Sequence, residues 1–189
     1  LCGGDQNPQP RGKLELAEQH GKSLAGEVRR VLGGDLRPVR PPIRTAYQVV
    51  RLDFAPHERA AFEEEAKSSD RFRQNRAKLM LKTYDEGRPV RSFSYPVQAV
   101  RWNDDLTLIV LGGEVVVDYA LRMKRELAGR NLIVAGYSND VSCYIPSARV
   151  LREGGYEAVQ SMIYYGQPGP FAENVEETVV NACRKLLEL

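Results

Sequence analysis

Tryptophan occurs once, histidine twice and cysteine three times in 189 residues, and each scarcity closes off a class of chemistry. Cys2, Cys143 and Cys183 form no C-x-x-C pair and cannot all be paired, so they make neither a disulfide framework nor a thiolate metal cluster. They read as buried thiols. His20 and His57 both fall in helical surface patterns, away from any ligand-like spacing, and read as solvated or partly packed. Charge of one sign is lacking as well: 27 basic against 25 acidic residues leave a net +2, and the scattered Lys and Arg point to no nucleic acid or anionic membrane. No apolar run approaches the ~20 residues that cross a bilayer, and no basic-then-apolar leader opens the chain. What is present, 42% apolar and 28% charged residues, is ordinary globular composition with enough apolar side chains for a core. The opening Leu1-Cys2-Gly3-Gly4-Asp5 reads like the end of a buried strand and has no initiator Met. The expectation is a single α/β domain over residues 1–189 that is a fragment, the C-terminal half of a larger unit.

Along the chain, Leu14, Ala17, Leu24, Ala25, Val28, Val31 and Leu32 recur at helical spacing, and Gly33-Gly34 supplies the stop. One amphipathic helix is predicted there. Pro38, Pro41 and Pro42 mark a rigid connection to a strand over Ala46–Phe54. Pro56 to Tyr84 is rich in Glu, Lys, Arg and Ala, with Ser68-Ser69-Asp70 interrupting it, which predicts two surface helices with a cap between them. Phe93–Trp102 and Leu106–Leu111 flank Asn103-Asp104-Asp105, the composition of a tight turn, so a β-hairpin is expected. A helical stripe from Val115 to Leu127 then leads to a strand over Asn131–Gly136. A last amphipathic helix carries Val175, Val179, Cys183, Leu186 and Leu187 against the sheet.

Strands alternating with helices argue for an α/β fold, and the hairpin makes the sheet mixed, with flanking helices. Ligands of such sheets collect beyond the carboxyl ends of the strands. That rule places Glu114, just after the apolar run Leu106–Leu111 and Gly112-Gly113, at the same rim as the loop Tyr137–Ser147. Two readings of these residues stand side by side. Two glycines allow a tight strand-to-helix turn, and a glutamate in a first helical turn complements the helix dipole; Tyr144 by itself reads as a packed aromatic with its hydroxyl toward solvent. The other reading is chemical: a carboxylate is a competent zinc donor, and a phenol beside a cation ionises more readily.

Three words in order favour the second. Gly4-Asp5-Gln6-Asn7-Pro8, Gly113-Glu114 after an apolar strand, and Gly136-Tyr137-Ser138-Asn139 through Tyr144 with Tyr156-Glu157 resemble the C-terminal part of the catalytic domain of neutral ceramidases, zinc amidases that cut the N-acyl bond of ceramide. The similarity runs intermittently from Gly3 to about Ser161 and is weak across Pro56–Arg91. It implies a divergent bacterial, secreted or periplasmic hydrolase of sphingolipid metabolism. It further implies that Glu114 and Tyr144 are zinc ligands and that Tyr156 donates a hydrogen bond to the amide oxygen as it becomes negative, which stabilises charge present only in the transition state. The substrate it implies is a lipid or small-molecule amide, and the remaining partner is the upstream half of the same domain.

The chain departs from that family in two places. The family's two histidine ligands lie upstream of everything in this sequence, and two oxygen donors alone hold zinc poorly; the fragment alone is expected to be metal-poor and inactive. At the opening word, Asn7 stands where the family has a serine over the zinc. Asparagine donates and accepts hydrogen bonds but is no hydroxyl nucleophile, so a metal-bound water becomes the expected nucleophile, with Asn7 or Tyr156 polarising the carbonyl. Asp5-Gln6-Asn7-Pro8 also reads as a plain turn. The alternative function is a non-catalytic domain of the same fold, binding lipid or glycan at that rim or serving as a scaffold.

Overall fold

The computed structural model describes residues 9–188, so Cys2 and the whole Gly4–Pro8 word, Asn7 included, lie outside the described residues. The elements run α1 (Leu14–Leu32), β1 (Ile43–Asp53), α2 (Arg59–Glu65), α3 (Arg71–Asp85), β2 (Ser92–Trp102), β3 (Leu106–Leu111), β4 (Glu114–Val115), α4 (Val117–Glu126), β5 (Leu132–Ala135), β6 (Tyr144–Ile145), α5 (Ala148–Glu153), a π-helical turn Tyr156–Gln160, α6 (Ser161–Tyr164) and α7 (Val175–Glu188). The fold is α/β, with a mixed sheet of order β1-β2-β3-β5.

The hairpin forms where its turn residues call for it. Asn103, a residue type that tolerates the left-handed region, takes φ 49° in the turn, and β2 pairs antiparallel with β3 from Trp102↔Leu106 to Val97↔Leu111. β3 and β5 are parallel, Thr107↔Leu132 to Val110↔Ala135, because α4 carries the chain back across one face of the sheet. β1 begins directly after Pro42, three residues earlier than its alternation predicts, and pairs antiparallel along the whole of β2. Phe54 leaves that ladder to bridge Phe171, with the rings stacked at 4.8 Å.

The core lies on one side of the sheet. Leu52, Tyr95, Val97, Ile109 and Val134 meet Tyr119 and Met123 of α4 and Val179, Cys183 and Leu186 of α7 in one buried cluster. Burying a large aliphatic side chain is worth about 2 kcal/mol, so this layer outweighs any single polar contact in the domain. α2 and α3 form a smaller cluster around Phe62, Ala77 and Met80. As the capping signal predicts, Asp70 stands at the N-cap of α3 and accepts from the Phe72 N–H at 2.7 Å. α2 starts at Arg59 rather than at Pro56.

Two expectations need correction. α1 spans the predicted residues, yet none of them is buried, so its apolar stripe faces solvent instead of a core. Glu114 does not sit in a first helical turn: it belongs to the short strand β4, and α4 begins only at Val117. Backbone pairing with β6 holds it there, since the Glu114 N–H donates to Cys143 O at 2.9 Å and the Val116 N–H to Ile145 O at 3.2 Å.

Candidate functional site

β3 and β5 run parallel and end at Leu111 and Ala135, and the loops that leave them cross on the same side. Gly113 makes the crossing possible. Its φ is +70°, and a Cβ there would stand 2.8 Å from the Cys143 carbonyl oxygen and 2.9 Å from the Ile145 side chain, so a side chain is excluded by both backbone sign and space. The Gly113 N–H donates to Asp140 O at 2.6 Å and its carbonyl accepts from the Tyr137 N–H at 2.8 Å. From below, the buried Tyr95 hydroxyl donates to Gly112 O at 2.8 Å. The rim is therefore fixed by backbone bonds, with Tyr137 (φ 54°) and Asn139 (φ 67°) in the left-handed region to make the reversal.

On this frame the β4–β6 pair places Glu114 opposite Tyr144. Both side chains are half-buried. The Glu114 carboxylate accepts from the Tyr137 hydroxyl at 2.5 Å, and Tyr144 stands across the strand pair from it. An O–H donor on a charged acceptor makes a short, strong bond. Tyr156, at the start of the π-helical turn that follows Gly154-Gly155, stands edge-on to Tyr144 with ring centroids 5.8 Å apart. Tyr165 approaches Tyr144 from another side at 6.5 Å, and Tyr164 tilts against Tyr156 at 6.3 Å. One carboxylate thus stands among a group of phenols.

Burial raises the Tyr144 pKa well above the ordinary phenol value, and the Glu114 carboxylate raises it further. The cause is electrostatic: a phenolate beside a carboxylate in a partly dry site is disfavoured twice. In the chain by itself Tyr144 is a neutral phenol beside Glu114. Only a cation at the site would reverse that preference. Tyr165 is shifted upward mainly by burial, with Glu114 adding to it. The neighbouring Cys143 thiol is fully buried, and burial pushes its pKa to about 12. It is an inert core thiol rather than a ligand.

Of the residues singled out in the sequence, Glu114, Tyr144 and Tyr156 come together; Asn7 lies outside the described residues. The histidines are elsewhere. His57 Nε2 bonds Val90 O at 2.7 Å and Nδ1 pairs with the Tyr84 hydroxyl at 3.0 Å, which makes it a packed link between the β1–α2 connection and α3. His20 Nε2 bonds Pro10 O at 2.9 Å near the start of α1. Tyr137 is the member of the site that spacing did not mark as a candidate. Its signal was present in the Gly-Tyr-Ser-Asn turn, whose left-handed backbone turns the ring back toward Glu114.

As a zinc site this donor set is incomplete. Glu114 and Tyr144 supply two oxygens on one side, and among the described residues no group of three or more His, Cys, Asp or Glu converges on a point where a metal could sit. Tetrahedral zinc wants more donors, usually nitrogen or sulfur. The residues present fit half of a metal site and one short carboxylate–phenol hydrogen bond, Tyr137 to Glu114. No protein-family model matches the chain, and no curated protein matches it.

Proposed function

We propose that the rim carrying Glu114, Tyr144 and Tyr156 is one side of a zinc-dependent amidase site of the neutral-ceramidase kind. The supporting observation is the juxtaposition of Glu114 and Tyr144 across β4–β6, with Tyr156 packed edge-on beside them, at the carboxyl ends of two parallel strands. In this reading Glu114 and Tyr144 are oxygen ligands, and nitrogen donors come from outside these 189 residues, in the upstream half of the domain. The bound ion would supply Lewis-acid polarisation of the scissile carbonyl. Tyr156, half-exposed at the edge of the cluster, donates its O–H to the carbonyl oxygen as charge develops there. Tyr137 orients Glu114 through its 2.5 Å bond. The substrate is an N-acyl amide of lipid or small-molecule type, met outside the cell.

The decisive assay uses the full-length protein with a fluorescent N-acyl sphingosine and a panel of simpler amides, with and without zinc. Metal-dependent turnover on one of them is the expected result, and none on any would end the proposal. A second reading rests on a specific observation: the Glu114 carboxylate already accepts from the Tyr137 hydroxyl at 2.5 Å, so it has a strong partner without a metal. On that reading the rim is a non-catalytic surface that binds lipid or glycan, or a scaffold. A full-length protein without two zinc-competent histidines upstream would decide for it.

A further inference from the structure

Two arginines face each other near the turn of the β2–β3 hairpin, whose ladder runs from Trp102↔Leu106 at the turn to Val97↔Leu111 at the rim. β1 and β2 pair with Arg44 directly opposite Arg101, so both side chains leave the same face of the sheet from neighbouring backbone positions. Like charges directly opposite each other weaken a strand pair. The next pair on that face is Ala46 opposite Ala99, and two methyl groups leave the space beside the guanidinium groups unfilled. The result is a cavity of about 290 Å³, lined by both arginines, the two alanines, Thr45, Tyr47 and Leu186 of α7. None of these lining residues is acidic.

The Arg101 side chain is only 19% exposed and is poorly satisfied. Its Nη1 donates to Leu187 O at 3.3 Å, near the end of α7, and its Nη2 reaches Asp104 at 3.4 Å, both of them long. Asp104 is 91% exposed, and an ion pair in such a place contributes little. Nε is buried without a partner. A guanidinium carries five N–H donors, and buried donors nearly always find acceptors. Capping the end of α7 accounts for one of the five. It leaves Arg44 unexplained, since this residue is exposed and has no ion pair among the described residues.

We infer that the cavity binds a phosphate monoester, with Arg44 and Arg101 holding the phosphoryl oxygens and Ala46, Ala99 and Leu186 facing a small apolar group. Charge selects the class. Two guanidinium groups with no carboxylate in the lining call for a dianion; a carboxylate neutralises one of them, whereas a phosphate monoester carries about −1.5 to −2 near neutral pH. Its oxygens also match the guanidinium fork, which donates two parallel N–H···O bonds to one anion. Volume limits the remainder. The cavity stands at the lower bound of small-molecule sites, roughly 300 Å³, so the ester group is a single ring or a short chain rather than a dinucleotide. A bound dianion also removes the repulsion between Arg44 and Arg101. The inference concerns the opposite end of the hairpin from the rim and is independent of the amidase reading.

Isothermal titration of the 189-residue chain with phenyl phosphate at constant ionic strength tests it. One saturable site per chain is expected, with benzoate, a monoanion on the same ring, at least about tenfold weaker. Arg44→Gln and Arg101→Gln should each weaken phenyl phosphate at least about tenfold, the loss of one charge-assisted contact. Arg44 is exposed, so its substitution keeps the test open even where Arg101→Gln disturbs the end of α7. Arg37→Gln, an equal loss of charge at an exposed position before β1, should leave the affinity unchanged. Phenyl phosphate should also raise the urea midpoint of the wild type, by mass action on the folded state, and not that of Arg44→Gln. No saturable binding below about 10 mM, equal affinity for benzoate, or an affinity untouched by Arg44→Gln would each overturn the inference. Binding by the 189-residue chain that is lost in the full-length protein would overturn it as well, because a group from the upstream half would then fill the cavity.

Discussion

Glu114 and Tyr144 stand opposite each other in the parallel β4–β6 pair, so a carboxylate and a phenol reach one rim by backbone register rather than by loop mobility. The pair is two residues long, yet it is braced on all sides: Gly113 closes on Asp140 and Tyr137, and Tyr95 supports Gly112 from the core. Sites built on such pinned backbone hold their side chains to tighter positions than sites on free loops. The energetic consequence falls on Gly113, where the brace leaves no room for a side chain.

Gly113→Ala should destabilise the domain by roughly 2–4 kcal/mol, combining the left-handed backbone penalty with a contact against the Cys143 carbonyl. Gly87 is the control, because its φ is +68° but a Cβ there meets open space. Gly87→Ala should cost about 1–2 kcal/mol from the backbone alone. Urea unfolding of the two variants separates the effects, and equal losses would mean that the loop shifts to accommodate the methyl group.

Arg122 bonds Glu126 on its own helix at 2.8 Å and joins α4 to α7 through Glu176 at 2.8 Å and Glu177 at 2.6 Å. Glu176 uses its other oxygen to accept from the Ala148 N–H at 2.8 Å. Arg122→Met leaves Glu176 and Glu177 without their guanidinium in a half-dry cleft, while Glu126 keeps Arg184 at 2.5 Å, and a loss of about 2–3 kcal/mol is expected, below the full cost of a deeply buried pair because Glu177 is open to solvent. Arg122 holds the Glu126 and Glu177 carboxyls below their ordinary 4.5. Groups lowered in the folded state add stability above 4.5, and that stability is lost as pH falls through their folded values. The gap between wild type and variant should therefore narrow below pH 4.5 in denaturation midpoints. Arg30→Ala, which removes an exposed pair on α1, should leave the denaturation midpoint unchanged.

His57 carries a pH dependence of the same sign in a higher range. Burial holds its pKa below the ordinary 6.5, and the Arg91 charge adds to this against the opposing Val90 hydrogen bond and Glu58 charge. Between its folded value and 6.5 the unfolded chain binds a proton that the folded chain does not. Stability is thus complete above 6.5 and declines as pH falls through the folded value. Urea midpoints should drop between pH 7.5 and 5.5 in the wild type, and His57→Gln should flatten that slope. A slope unchanged by the substitution would place the titration elsewhere.

The layer structure was legible in the sequence because periodicity and turn chemistry agreed with tertiary packing. The 93–111 hairpin has its turn residues where the ladder needs them, and the stripe of α7 faces the core as its spacing predicts. α1 shows where periodicity stops: the 3.6-residue repeat specifies a helix with an apolar side, but it does not say what covers that side. Glu114 shows a second limit. An acidic residue before an apolar stripe reads as a helix start, and only the pairing with β6, thirty residues away in the chain, makes it a strand. Within the site, the approach of Glu114 to Tyr144 followed from the rule about strand ends. The Tyr137 contact did not, because it depends on a left-handed turn that residue types permit without requiring.

On the amidase reading, substitutions at the carboxylate–phenol rim separate metal ligands from donors in the full-length protein. Glu114→Gln removes the anionic oxygen, and Tyr144→Phe removes its neighbour, so both should lower zinc content in elemental analysis and lower turnover in proportion. Tyr156→Phe should leave zinc content unchanged and reduce turnover about a hundredfold, the usual loss for one oxyanion donor. Tyr137→Phe belongs between these cases: it removes the 2.5 Å bond to Glu114 and should weaken zinc retention modestly while sparing the rate at saturating metal. Zinc lost on Tyr156→Phe, or zinc and rate both untouched by Tyr144→Phe, would show that these phenols do not divide the work between binding and catalysis, and would leave the rim to the non-catalytic reading.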